Sequence, residues 1–197
     1  MGVPINPFVL MFAAVFTSNM VLSNFLGMCS FISVSKELKT ANGLGLAVTF
    51  VMTITSVLNY IVYYYILVPL GLEYLIYIVF IIVIAAFVQL LEMIIDRISP
   101  ALYINLGIFL PLITVNCAIL GGALFLIIRN YSLIQSLTFG FGSGIGWWLA
   151  IVALAAIRQR LRENDIPVAL RGSGITLIII GIMALAFIGF SGVLRVQ

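Results

Sequence analysis

Two cysteines, Cys29 and Cys117, are the residues of this sequence best suited to chemistry, because the chain contains no histidine at all. That absence removes an imidazole general base, a Ser-His-Asp triad, haem held by His and every His-bearing zinc site. The two sulfurs are then the only soft metal ligands. Two thiolates can hold iron, but a [2Fe–2S] cluster takes four, so two more would have to come from a partner or a symmetric copy. The competing reading makes each cysteine a small buried hydrophobe, the usual role of a free thiol. A disulfide between them is a third and less favoured reading. Asn24 and Asn116 stand beside the two cysteines in sequence and are candidates for lining a site or an ion path. Glu92, with Gln89, is a further candidate. A carboxylate inside an apolar run is a functional hypothesis by default, although a place about one turn from the end of a span also permits snorkelling.

The elements that must position these residues lie in lipid. Of 197 residues, 64% are apolar and 8% charged, against about 25% charged in ordinary soluble domains. Mean hydropathy is +1.31. Too few charges remain to coat a water-soluble surface. The net charge of +3 does not point to nucleic acid, because the basic residues sit in short gaps between apolar runs without a stripe or aromatic platform. The longest polar stretch, Arg158 to Arg171, is too short for a domain, so a water-soluble substrate such as a nucleotide must bind on another chain. The apolar runs are continuous rather than alternating, which predicts helices and excludes a closed barrel.

A bilayer core needs roughly 20 apolar residues per helix, and six runs of that kind emerge. They cover about Phe8 to Val34, Gly43 to Val68, Tyr74 to Ile95, Ala101 to Ile128, Ser136 to Ile157 and Gly174 to Leu194. The fold expected is an all-α integral membrane protein, one transmembrane domain over residues 1–197. The first run has neither a basic n-region nor a small-residue cleavage signal, so it reads as a retained span rather than a signal peptide. Lys36, Lys39, Arg97, Arg158, Arg160, Arg162 and Arg171 fall on one side of such a bundle, and Arg129 and Arg195 on the other. Under the positive-inside bias both termini then face away from the cytoplasm.

Six spans divide into two sets of three, and an odd number per half inverts the second against the first. Repeat one takes in about residues 1–98 and repeat two about 99–197. Each opens with a proline (Pro7, Pro100), continues into a long span with a cysteine in mid-run, and enters its second span through Gly-rich sequence. The long spans, the first of each repeat, read as broken helices. Ser23, Asn24 and Gly27 precede Cys29, and Pro111, Thr114 and Asn116 precede Cys117. Paired broken helices point to a site near the bilayer midplane, where the inverted fold would bring the cysteines together; tilted spans with polar glue between them are the plainer alternative. The run Gly140, Gly142, Gly144, Gly146 lacks nucleotide-loop spacing and reads as close helix packing.

These residues resemble the membrane subunits of the Na+-translocating NADH:quinone reductase and of its relative, the Rnf complex. The resemblance spans nearly the whole chain. It is carried by Phe25 to Phe31, Val34 to Lys36, Gln89 to Met93, the unbroken run Leu106 to Gly122, Gly140 to Trp147, Ala156 to Arg158, Leu170 to Gly172 and Phe190 to Gly192. Met28-Cys29-Ser30 and Thr114-Val-Asn-Cys117 are similar to the E-type subunit of the quinone reductase. The resemblance implies a six-helix protein paired with an inverted homologue, the D-type subunit. Two cysteines from each chain, here Cys29 and Cys117, would hold iron or a [2Fe–2S] cluster in the membrane. It further implies an electron relay from an NADH-oxidising flavoprotein toward membrane flavins and ubiquinone, coupled to Na+ export across a bacterial inner membrane. The chain lacks the flavin-attachment motif of neighbouring subunits, so no flavin is expected on it. The alternatives are the A-type subunit of an Rnf ferredoxin:NAD oxidoreductase and a stand-alone secondary transporter.

Overall fold

In the computed structural model, which describes residues 6–98, 110–161 and 172–189, every regular element is helical. Helix α1 (Pro7–Val15) starts where proline occupies its first turn and the Asn6 side chain accepts from the Phe8 N–H at 3.4 Å, the usual chemistry of a helix start. The chain leaves the helix over residues 16–27 and resumes as α2 (Met28–Val34). Next comes α3 (Leu38–Val62), which continues through a widened π turn, Tyr63–Leu67, into a last turn, Val68–Leu70. Pro69 explains the widening, because it supplies no N–H and its ring would collide with the carbonyl four residues back. Gly71 (φ 66°) then ends the helix.

A 3-10 turn, Glu73–Leu75, leads into α4 (Ile76–Ile98). The remaining helices are α5 (Leu110–Thr114), α6 (Cys117–Ile128), α7 (Leu133–Leu161) and α8 (Ser173–Ile188). Four stretches are long and apolar enough to cross a bilayer: Leu38–Leu70, Glu73–Arg97, Pro111–Ile128 and Leu133–Leu161. The protein is thus an all-helical, multi-pass membrane protein. These four answer to the second to fifth expected spans. The first expected span is two short helices around a non-helical segment, and α8 accounts for part of the sixth, whose last residues lie outside the described ones. The polar stretch expected from Arg158 begins as helix, since α7 runs on to Leu161.

Helix α7 is the axis of the packing, with α3 on one side and α1 on another. Its glycines sort by face. A Cβ on Gly140 would lie 3.1 Å from the Met52 carbonyl oxygen and one on Gly144 would lie 2.7 Å from Thr49 Cα, both on α3. A Cβ on Gly142 would lie 2.8 Å from the Met11 carbonyl oxygen of α1, and one on Gly146 3.0 Å from that of Val15. Two small-residue pairs, each four apart, therefore let two helices approach α7 to backbone contact. In lipid, such contact takes the place of hydrophobic burial. The expected packing role of this run is what the structure displays. By contrast α4 is peripheral, with 17% of its span buried against 56% for α7.

Candidate metal centre where two helices break

A backbone interrupted at membrane depth must find partners for its polar groups, and in the first break the Asn19 side chain supplies several that the backbone turns do not. It is 1% exposed. Its Nδ2 donates to the Val15 carbonyl at 3.1 Å and the Gly146 carbonyl at 2.9 Å, while its Oδ1 accepts from the N–H groups of Val21 (3.0 Å) and Leu22 (3.3 Å). The Ser23 hydroxyl donates to the Thr17 carbonyl at 3.3 Å, and Asn24 Nδ2 to the Asn19 carbonyl at 3.4 Å. Phe25 and Gly27 then turn the chain through left-handed conformations, φ 56° and 83°.

The second break is tighter. Asn116 accepts from the Ala118 N–H at 3.1 Å and so caps α6, placing Cys117 as the first residue of that helix. Pro111 stands inside α5, whereas the interruption falls at Val115 and Asn116. The capping chemistry of Asn116, not the proline, is what divides these two helices.

The two breaks meet. The Gly27 N–H donates to Cys117 Sγ at 2.9 Å, and Cys29 follows two residues later in the first turn of α2. Both cysteines are free, and both are exposed. Neither the disulfide reading nor that of buried apolar filler describes them. Each sits in the first turn of a helix, where N–H groups lack intrahelical partners and the helix dipole favours negative charge. Phe25 and Val115, 56% and 70% exposed, give the surface around the breaks an apolar character. Behind it, Trp147 is fully buried and packs edge-on against Phe31, with ring centroids 6.2 Å apart. The far end of α2 is held as well, because Arg158 Nη1 donates to the Ile32 carbonyl at 2.9 Å and to Ser35 Oγ at 2.6 Å.

Of the residues singled out in the sequence, the structure brings Cys117 and Asn116 against the Gly27–Cys29 turn. Asn24 is in the first break but is spent on its own segment. Glu92 is half-buried on α4, a helix that carries neither break. Sequence reasoning missed Asn19, Trp147 and Arg158. An asparagine just after an apolar helix is a signal for Asn19, whereas the partners of the other two are remote in the chain. Among the described residues no three potential ligands from Cys, Asp and Glu gather, so this chain offers a centre two sulfurs. Such a donor pair fits half of a thiolate site completed from outside the chain.

Apolar spans, two interrupted helices in contact and a pair of outward-facing thiols define a class: multi-pass membrane proteins with a site built on broken helices. The chain belongs to the Rnf-Nqr family, whose model, described as Rnf-Nqr subunit, membrane protein, matches residues 8–194. Members of this family are membrane subunits of redox-driven, ion-translocating complexes.

Proposed function

We propose that this chain is the E-type subunit of a Na+-translocating NADH:ubiquinone reductase, and that Cys29 and Cys117 are its half of an iron centre shared with an inverted homologous partner, the D-type subunit. The observation that supports this reading is the contact of the two breaks, Gly27 N–H on Cys117 Sγ, which sets Cys117 against the turn leading into Cys29, with both cysteines exposed. Iron held there would pass single electrons between the NADH-oxidising flavoprotein and the membrane flavins. The chain's own residues bind and orient. Asn19 and Asn116 hold the broken backbone open, Gly27 donates to a ligand sulfur, and the exposed Phe25 and Val115 offer an apolar seat for the partner. In this reading the six spans form two inverted repeats in a bacterial inner membrane, with both termini on the periplasmic side.

A second reading, the A-type subunit of an Rnf complex, draws on Ile66 to Leu72, which leans toward the Rnf form. Neighbouring genes for quinone-reductase or for Rnf subunits would separate the two. The stand-alone transporter has no support from membership of a family of complex subunits.

The test is iron content, with electron transfer beyond the first flavin, in purified complexes carrying Cys29→Ala or Cys117→Ala. Both side chains are exposed, so alanine costs little packing, and the complex should assemble with its iron centre lost. Wild-type iron in both variants would overturn the assignment.

A further inference from the structure

Helices α3 and α7 touch near their middles and part toward one end. At Gly144 a Cβ would lie 2.7 Å from Thr49 Cα, so the two backbones meet there. One turn further along α7 stands Trp148, whose ring lies against Gly45 of α3 in the place a Cβ would take. Its Nε1 donates to Asn42 Oδ1 at 2.8 Å. An indole in place of a glycine spaces the helices apart, and beyond it a groove of about 690 Å³ opens between the start of α3 and the last turns of α7. Lys36, Lys39 and Gln159 line its outer end, by their places at the helix ends, with Asn42 a turn deeper on α3 and Val152 two turns deeper on α7.

Charge selects what such a groove takes. Lys36 and Lys39 set two positive charges against the one carboxylate of Glu37, which accepts from the Thr40 hydroxyl at 3.4 Å. Glu37 makes no side-chain cap bond to α3, so the first N–H groups of a 25-residue helix add partial positive charge at the same place. Asn42 has its oxygen engaged by Trp148 and offers its amide NH2, which can only donate. These groups together suit a phosphate. A free phosphate leaves the rest of the lining unused, because Leu38 and Val152 give an apolar wall running inward from the charge. An anionic head joined to an apolar body is the chemistry of a phospholipid. The level agrees: Lys36 and Lys39 stand with Arg158 and Arg160 at the end of the bundle that the positive-inside bias assigns to the cytoplasm. That leaflet carries anionic lipid, and basic pockets between transmembrane helices on that side receive its head groups.

We propose that the groove between α3 and α7 is a binding site for one anionic phospholipid of the cytoplasmic leaflet, its phosphate on Lys36 and Lys39 and an acyl chain against Leu38 and Val152. The lipid fills the gap that Trp148 opens and ties the two helices together where they touch least. Neither cysteine lines the groove, so the site stands or falls apart from the iron centre.

The experiment is photo-cross-linking in the purified complex, held in nanodiscs of phosphatidylcholine with a minor share of phosphatidylglycerol. A benzophenone amino acid replaces Leu38, which lines the groove and is 41% exposed, and the adducts on this chain are identified by mass. Phosphatidylglycerol should be captured well beyond its share of the bilayer. Lys36→Gln with Lys39→Gln, both exposed positions, should leave the complex assembled and lower that preference by roughly 30-fold, at about fivefold per charge. Lys36→Arg with Lys39→Arg keeps the charge and should keep the preference. Excess inorganic phosphate at matched ionic strength should not displace the lipid. Adducts in the proportions of the bulk bilayer, or a preference equal in the glutamine and arginine variants, would overturn the proposal. So would displacement by inorganic phosphate, which would mark a site for a soluble anion, and so would adducts to protein alone, which would mark a groove filled by a polypeptide segment.

Discussion

Gly27 and Cys117, 90 residues apart in the chain, are joined by a hydrogen bond from the backbone N–H of one to the sulfur of the other at 2.9 Å. One bond thereby ties together two interruptions, each of which leaves backbone groups in need of partners. It also explains why residue 27 is glycine. The position combines φ 83° with three close neighbours: Asn116 Oδ1, Trp147 Nε1 and Ala118 Cβ at 3.0 Å from where a Cβ would stand.

Gly27→Ala should therefore be costly twice over, through a left-handed backbone and through collision. Strain of the first kind is worth about 1–3 kcal/mol, and relieving the second would part the two breaks. The expected outcome is a lower melting temperature in detergent and less assembled complex. Gly43→Ala is the control, because a Cβ there meets nothing within 4 Å and the residue is inside α3. It should be neutral or stabilising by roughly 1 kcal/mol. Equal melting temperatures for the two variants would refute this account of Gly27.

The glycines of α7 predict a difference between its two faces. Gly144→Val would drive a side chain into Thr49 of α3, and Gly142→Val into Met11 and Ala14 of α1. Gly181→Val, on α8 where nothing lies within 4 Å, should be tolerated. Cysteine cross-linking reads the faces separately, with a reporter pair between α3 and α7 and another between α1 and α7. Gly144→Val should lower cross-linking mainly in the first pair, and Gly142→Val mainly in the second. Identical losses in both pairs would mean that the glycines act through helix flexibility rather than through approach.

Much of this arrangement was legible in the sequence because it follows local rules. The middle spans declare themselves as apolar runs between charges, and the Gly140–Gly146 spacing already implied close packing. The breaks showed through the long spans that contain them, around Gly27 and Asn116. Their extents did not show. Residues 16–22 include Phe16, Met20, Val21 and Leu22, which read as helix, yet the backbone there is unwound. The cause is distant: Asn19 reaches the carbonyl of Gly146, 127 residues away, and no local pattern contains that contact. Pro111, Thr114 and Asn116 were singled out together, and of these Asn116 stands at the break between α5 and α6, while Pro111 stands in α5.

Orientation in the membrane follows from the end of the bundle at which the basic residues gather. Arg158 near the end of α7 bonds the Ile32 carbonyl and Ser35 of α2, which places it beside Lys36 and Lys39 at the start of α3. Helix α3 runs away from that end, and the short turn through Gly71 sends α4 back to it with Arg97 in its last turn. Arg129 follows α6 and precedes α7, and so falls at the opposite end. Lys36, Lys39, Arg97, Arg158 and Arg160 thus share one end of the bundle, which is what the positive-inside bias requires of a cytoplasmic face. Arg162, Arg171 and Arg195 lie outside the described residues. A reporter active only outside the cytoplasm should accordingly be active when fused after Gln197 and silent when fused at Arg162. The reverse pattern would invert the bundle, and with it the face from which soluble electron donors would reach the proposed iron centre.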